Sequence, residues 1–329
     1  MTSLEQILIK AEKVLLSSPK EKLVGLSTTA NSNNPPLYLS ANRETEKTIS
    51  INFIFRETSQ LKQIIEFFDG KVSFFLIDCE VKNEVDNLEE LSIPLIRKSR
   101  YHLVKPNDYA VAAMDEFLAN SYRSLKGITV GIVGAGNLGG KIALLAAERG
   151  AQVKLYGRDL KKTASIVEGL NLLFKARTKI VASLNLEEVA MNTHCLIGAT
   201  SGTPAIDVAS VELLAKNAMI IDAGNNTFFP NAIRFATENG IKAYCLSAMA
   251  GYEASIANWI ATRNSISQIG TRKVSDDVTL VSLGLIGKHG DVLVNNVSNP
   301  TKVFGVCDGN GDLLSPEEAT PFIERYNSL

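Results

Sequence analysis

Apolar residues along this chain follow three rhythms, each predicting a different kind of element. Near the start, Leu4, Ile7, Leu8, Ala11 and Leu15 recur at helical spacing. "TISINFIF" (48–55) then alternates apolar with polar, as a half-buried strand does. "LKQIIEFF" predicts a short helix, and "KVSFFLID", bounded by Gly70, a strand. "NDYAVAAMDEFLANSYRSL" is rich in Ala, Leu and Met and has Asn107 or Asp108 to cap its start, which predicts a helix. These elements form an N-terminal α/β domain over residues 1–125.

The second rhythm fills residues 126–250. Six apolar runs, "ITVGIV", "AQVKLY", "TKIVAS", "HCLIGA", "AMIIDA" and "IKAYCL", alternate with helix-like stretches. Unbroken apolar strands are those covered on both faces, and parallel strands need crossover helices. The prediction is an α/β fold with a doubly wound, mainly parallel Rossmann sheet, preceded by a separate α/β substrate domain. Residues 251–329 are less regular. "YEASIANWIATRNSI" predicts a helix, "VTLVSLGLIG" and "DVLVNN" strands, and "VFGVCDGNGDLL" a hairpin. This third segment is expected to pack back on the N-terminal domain.

"ITVGIVGAGNLGG" places Gly134, Gly136 and Gly139 at GxGxxG spacing between the first of the six strands and a helix. The motif alone is weak, but the strand before it and the closing "AQVKLY" complete a βαβ unit. Gly134 would make the turn, Gly136 would let the backbone approach a pyrophosphate, and Gly139 would pack helix on strand. Asn137 and Leu138 open the helix, whose free N–H groups and dipole suit a phosphate.

An NAD site usually has an acid at the tip of the second strand. This strand ends Tyr156-Gly157-Arg158, with Asp159 one place later, where it could cap the next helix. A guanidinium binds a 2′-phosphate that a carboxylate would repel. Arg158 and Lys162, with Lys161, therefore favour NADP(H), with Gly157 leaving space. The plain alternative is a solvated helix start with basic residues. Thr200 and Ser201 after the fourth strand, and Asn225 after the fifth, border the expected nicotinamide position. Gly251 would let the backbone approach it.

Composition adds exclusions. The chain has 329 residues, a formal net charge of −1, 45% hydrophobic and 21% charged residues. Nothing in that balance suggests nucleic acid or a membrane surface as a partner. Cys79, Cys195, Cys245 and Cys307 lie far apart, which argues against a disulfide scaffold or zinc site and suits a reducing, cytoplasmic setting. No metal site is expected. Neither a signal peptide nor a membrane-spanning run is read, and a homodimer is the commonest default assembly. "DGNGDLLSPEEA" starts like a calcium loop but has Leu313 and Ala319 where glycine and glutamate belong, so Asn310-Gly311 reads as a hairpin turn. His289 in "GKHGD" reads as a turn residue, and Cys245 as a buried strand cysteine.

From "SLKG" at 124 to "GRD" at 159, the chain resembles the cofactor half of the shikimate dehydrogenase and methylenetetrahydrofolate dehydrogenase group. "IGATSGTP" is similar to the Asn-Ala-Thr-Ser element of the former, and "AMIIDAGNN" to a strand end of the latter. The resemblance spans roughly 105–260. It implies a two-domain oxidoreductase in which Arg158 contacts the NADP 2′-phosphate and Asp108, in "KPNDYAV", matches the family's catalytic aspartate. The Ser-x-Ser, Asn-Val-Thr-x-Pro-x-Lys and Tyr-x-x-x-Lys substrate motifs of these families have no counterpart here.

Hydride transfer also moves a proton, which calls for an acid/base group, often a lysine beside an aspartate. Lys82, after the "KVSFFLID" strand, and Lys105 with Asp108 are the candidates; each is equally a solvated residue or a cap. The expected function is an NADP(H)-dependent oxidoreductase acting on a small polar C–OH/C=O or C–N/C=N substrate in an interdomain cleft. The alternatives are a non-catalytic NADP(H)-binding sensor or scaffold, and a folate- or pterin-type C–N dehydrogenase.

Overall fold

The computed structural model describes residues 3–29, 34–80, 87–173, 179–200 and 202–329. The chain divides into two compact units, Met1–Glu253 and Ala254–Leu329.

The first unit opens with α1 (Ser3–Leu16), β1 (Glu21–Thr28), β2 (Leu37–Leu39), β3 (Arg43–Glu44), β4 (Thr48–Phe55), α2 (Leu61–Phe68), β5 (Phe74–Asp78), α3 (Leu88–Ser92) and β6 (Arg100–Val104). The strands form one sheet in the order β2-β4-β1-β5-β6, with β3 also on β4. β4, β1, β5 and β6 are parallel, and β2 and β3 run antiparallel to β4. The chain passes from β1 to one side and then returns to β5 on the other. That reversal makes a crevice at the carboxyl ends of β1 and β5. There Asp78, buried, accepts the backbone N–H of Thr28 at 3.1 Å and that of Glu80 at 2.9 Å.

One face of this sheet is an ordinary core. Ile49, Ile51, Phe53 and Phe55 of β4 join Val24, Leu26, Phe75 and Ile77 beneath α1 and α2. Truncating such a residue to alanine costs roughly 2–5 kcal/mol, because the cavity does not close fully. The other face departs from the half-buried strand expected of "TISINFIF". Thr48, Ser50 and Asn52, the polar set of β4, are all buried. Tyr252, early in a later helix, donates its hydroxyl to Ser50 Oγ, and Tyr109 of α4 (Pro106–Ser121) packs edge-on against the Tyr252 ring.

The second sheet contains β7 (Thr129–Val133), β8 (Gln152–Tyr156), β9 (Ile180–Ala182), β10 (Cys195–Gly198), β11 (Met219–Asp222) and β12 (Lys242–Cys245), with α5 (Asn137–Glu148), α6 (Leu160–Leu173), α7 (Leu186–Ala190), α8 (Val208–Glu212) and α9 (Pro230–Glu238) between them. Its order is β12-β11-β10-β7-β8-β9, and every pair is parallel. All six strands lie where the apolar runs predict them. For the central β7, β10 and β11 local signals sufficed because a strand covered on both faces must be apolar throughout. Cys245 is exposed rather than buried. It ends β12, the edge strand, which among the described residues has no strand on its outer side.

α10 (Met249–Ile266) begins in the first unit and ends in the second. The second unit holds β13 (Thr271–Ser275), β14 (Val278–Ser282), β15 (Val292–Val294), β16 (Val303–Val306) and α11 (Pro316–Asn327). Val278, Leu280, Val292 and Val294 form its core, with Ile323 and Tyr326 of α11 against them. α11 was not among the predicted elements. Its start is nevertheless written in the sequence: Ser315 and Glu318 form a capping box, and Pro316 occupies the first turn. Asp308 accepts the N–H groups of Asn310 and Asp312 in a tight turn, and Cys307 bridges to Leu313 as a hairpin requires.

Candidate functional site

The second sheet reverses direction between β7 and β10, and the glycine loop sits at that point. Gly134 has φ +123°, and a Cβ there would lie 2.5 Å from the carbonyl oxygen of Ala199, just after β10. A Cβ on Gly139 would lie 1.8 Å from the carbonyl oxygen of Gly134, so helix and turn touch backbone to backbone. Gly136 differs: nothing lies within 4 Å of its Cβ position. It is exposed and caps α5 without a side-chain hydrogen bond, so Asn137 and Leu138 open a helix whose first N–H groups face outward. Two glycines are therefore needed by the protein's own packing, and the third leaves a cradle open.

A groove of about 730 Å³ runs from this loop over the tip of β8 to the loop after β10. Gly136, Arg158, Lys162 and Thr200 all line it. Arg158 is exposed and makes no hydrogen bond or ion pair with another described residue. Asp159 is the acid nearest the strand tip, and it is engaged. Its Oδ1 accepts the N–H of Lys162 at 3.0 Å and so caps α6. Gly157 lines the groove, but the space its missing Cβ leaves is filled. A Cβ there would lie 2.5 Å from Thr163 Oγ1 and 2.8 Å from Ala135 Cβ. Its smallness lets α6 approach the glycine loop rather than making room for a phosphate. Thr200 donates its hydroxyl to the carbonyl of Thr203 at 2.9 Å.

Other predicted positions fall elsewhere. Ser201 and Lys82 lie outside the described residues. Asn225 holds a left-handed turn, φ +60°, and does not line the groove. That turn is tied by Asp222, which accepts the N–H and hydroxyl of Thr227. Gly251 has a packing role at the start of α10. It is buried, and a Cβ there would lie 1.9 Å from the carbonyl oxygen of Tyr109, so it sets the close packing of α10 on α4.

The turn that begins α4 brings several charged groups together. Lys105 is the residue before α4 and is exposed. Asp108, in the first turn, is ion-paired not with Lys105 but with Lys141 of α5. Glu80, its side chain 8% exposed, accepts the N–H of Asn107 at 2.9 Å and lies 3.8 Å from the same Lys141 ammonium group. The sequence pattern did not single out Lys141, because it is an ordinary polar position on a helix and its partner lies on another. Cys79, beside this turn, has its thiol pKa raised by burial and by Asp78.

Residues 129–210, about a quarter of the chain, match the family described as "3-hydroxyacyl-CoA dehydrogenase, NAD binding domain". This is an NAD(P)-binding domain of the dehydrogenase type. No curated protein sequence matches the chain. Solved structures with a similar fold include the shikimate 5-dehydrogenase of Thermus thermophilus, solved with shikimate, at 14% identity and TM-score 0.45 over 74% of this chain and 93% of that one. A quinate dehydrogenase of Corynebacterium glutamicum, solved with NAD, is similar at 15% identity and TM-score 0.41, covering 70% and 90%. The dipicolinate synthase A chain of Bacillus subtilis is similar at 14% identity and TM-score 0.38, covering 76% and 98%. At these identities the chemistry must be read from this chain's own residues.

Among the described residues, no helix is long and apolar enough to cross a membrane, and no cluster of His, Cys, Asp and Glu could hold a metal ion.

Proposed function

We propose that the protein is an NADP(H)-dependent oxidoreductase of a small polar substrate. The observation that supports this best is the groove from Gly136 to Arg158 and Lys162, whose one acid near the strand tip is already used as a helix cap. In this reading the open cradle at Gly136 and the first N–H groups of α5 hold the pyrophosphate. Arg158 and Lys162 take the 2′-phosphate, and Thr200 lies toward the nicotinamide side. The cofactor, when bound, supplies or accepts the hydride. The protein's share is to align the substrate and to handle the proton. Asp108, fixed by Lys141, and Lys105 on the same turn are the groups for that task.

The prior engagement of Asp108 by Lys141 also suits a protein that binds NADP(H) without turnover. A screen of hydroxy and amino acids for NADPH formation separates the two readings.

Calorimetric titration tests the cofactor assignment. Arg158→Ala should weaken NADPH binding about 10- to 100-fold, as expected when a charged hydrogen-bonding partner worth roughly 1.5–3 kcal/mol is lost, and leave NADH binding nearly unchanged. Equal losses for both nucleotides would refute the phosphate clamp.

A further inference from the structure

Two side chains from other elements close in on Gly157, the residue that follows the tip of β8. The N–H of Gly134 donates to the carbonyl of Tyr156 at 2.7 Å, which ties the glycine loop to the end of that strand and brings Ala135 beside Gly157. Thr163, in the first turn of α6, is the second neighbour. Its backbone N–H and its hydroxyl both donate to the carbonyl of Asp159, at 2.9 and 2.8 Å, and it is 1% exposed.

Gly157 is not among the glycines that hold a positive φ, so it does not need glycine's left-handed freedom. What it needs is space. A Cβ at this position would lie 2.5 Å from Thr163 Oγ1 and 2.8 Å from Ala135 Cβ, while the next atom, Ala135 N, is 3.4 Å away. Neither close neighbour yields cheaply. Alanine has no rotamer to change, and turning Thr163 would break its hydrogen bond to Asp159. With both contacts removed, a Cβ would sit at ordinary van der Waals distance.

Ala135, Gly157 and Thr163 line the same groove as Arg158 and Lys162. The end of this strand is where the carboxylate of an NAD site accepts from the ribose hydroxyls. Resting on the NADP(H) reading, we propose that Ala135 and Thr163 are specificity-determining residues. They bar a side chain from the tip of β8 and leave the ribose end of the nucleotide to Arg158 and Lys162. A 2′-hydroxyl then finds no carboxylate at the tip to donate to, and a 2′-phosphate meets two cations without a like charge beside them. Placing an acid at the strand tip, the change that would favour NAD(H), therefore fails in this chain unless both neighbours are cut back.

The test titrates full-length protein with NADPH and NADH by calorimetry. It compares wild type, Gly157→Asp, the opened double variant Ala135→Gly with Thr163→Ala, and the triple variant that carries all three changes. Gly157→Asp alone should lower the melting temperature and gain no NADH affinity. The triple variant should bind NADH about 10-fold or more tighter than wild type, and NADPH about 10-fold or more weaker. The opened variant without the acid should gain no NADH affinity. Gly157→Ala, the smallest probe, should lower the melting temperature of wild type and lower that of the opened variant much less. This comparison stands even where an aspartate variant does not fold.

The proposal is overturned if Gly157→Asp alone gains NADH affinity, if the folded triple variant gains none, or if it gains both nucleotides alike. It is equally overturned if the opened variant gains NADH affinity without the acid, or if Gly157→Ala costs the same melting temperature in both backgrounds. A wild type that binds NADPH no better than NADH overturns the cofactor reading, and this role with it, before any variant is made. A wild type that prefers NADPH, with a triple variant that does not switch, overturns the specificity role alone.

Discussion

Lys141 of α5 forms an ion pair with Asp108 of α4 and so joins the helix before the glycine loop to the helix that the loop opens. Two turns further on, Arg149, the C-cap of α5, holds Asp115 of α4 through hydrogen bonds of 2.5 and 2.8 Å. The two pairs fix α4 along α5. This alignment gives Asp108 a set position beside the cofactor domain, which a loop would not.

Both ends of the first pair are more than a third exposed, so its stability contribution is small. A double-mutant cycle of Lys141→Met with Asp108→Asn should give a coupling of about 0.2–1 kcal/mol by urea unfolding. In a substrate assay, Asp108→Asn should lower kcat far more than it lowers stability. A variant that loses stability and activity in proportion would make the pair a structural clasp.

The glycine loop separates a folding role from a binding role. Gly139→Ala forces a methyl against the carbonyl of Gly134, so it should destabilise the protein by about 2 kcal/mol or more. Gly136→Ala has open space and should change the melting temperature little, while weakening both NADPH and NADH. Differential scanning calorimetry with nucleotide titration checks both. Comparable melting temperatures for the two variants would contradict the geometry.

Gly251 belongs to the packing class. Gly251→Ala meets the Tyr109 carbonyl and should cost roughly 1–3 kcal/mol of stability. Cofactor affinity of the remaining folded protein should be normal by calorimetry. Selective loss of nucleotide binding would show that this glycine faces the cofactor after all.

Asp207 gives a pH-dependent prediction. It caps α8, accepting the hydroxyl of Ser210 at 2.7 Å and its N–H at 3.0 Å, and these bonds lower its carboxyl pKa below the usual value. A depressed carboxyl contributes stability that is complete above its unfolded pKa and lost as pH falls through the folded one. Asp207→Ala should therefore cost about 1 kcal/mol at pH 7, and the difference from wild type should shrink below about pH 4. Chemical denaturation at pH 7 and pH 3 measures it.

The sequence by itself determined the cofactor domain. Six apolar strands and the Gly134-x-Gly136-x-x-Gly139 spacing are local patterns, and local patterns suffice most directly for the central β7, β10 and β11, which are buried on both faces. The same local reading failed on β4. Ser50 and Asn52 alternate with apolar residues just as a solvent-facing set would. Only the tertiary structure decides that they are buried, because the tyrosines that close over them come from remote parts of the chain. Tyr252 reaches Ser50 across 202 residues. It likewise decided that Lys141 rather than Lys105 holds Asp108, and that Gly157 and Gly251 serve packing. A pattern records which face a residue takes, and the partner brought to that face is fixed by helices that meet only in the folded chain.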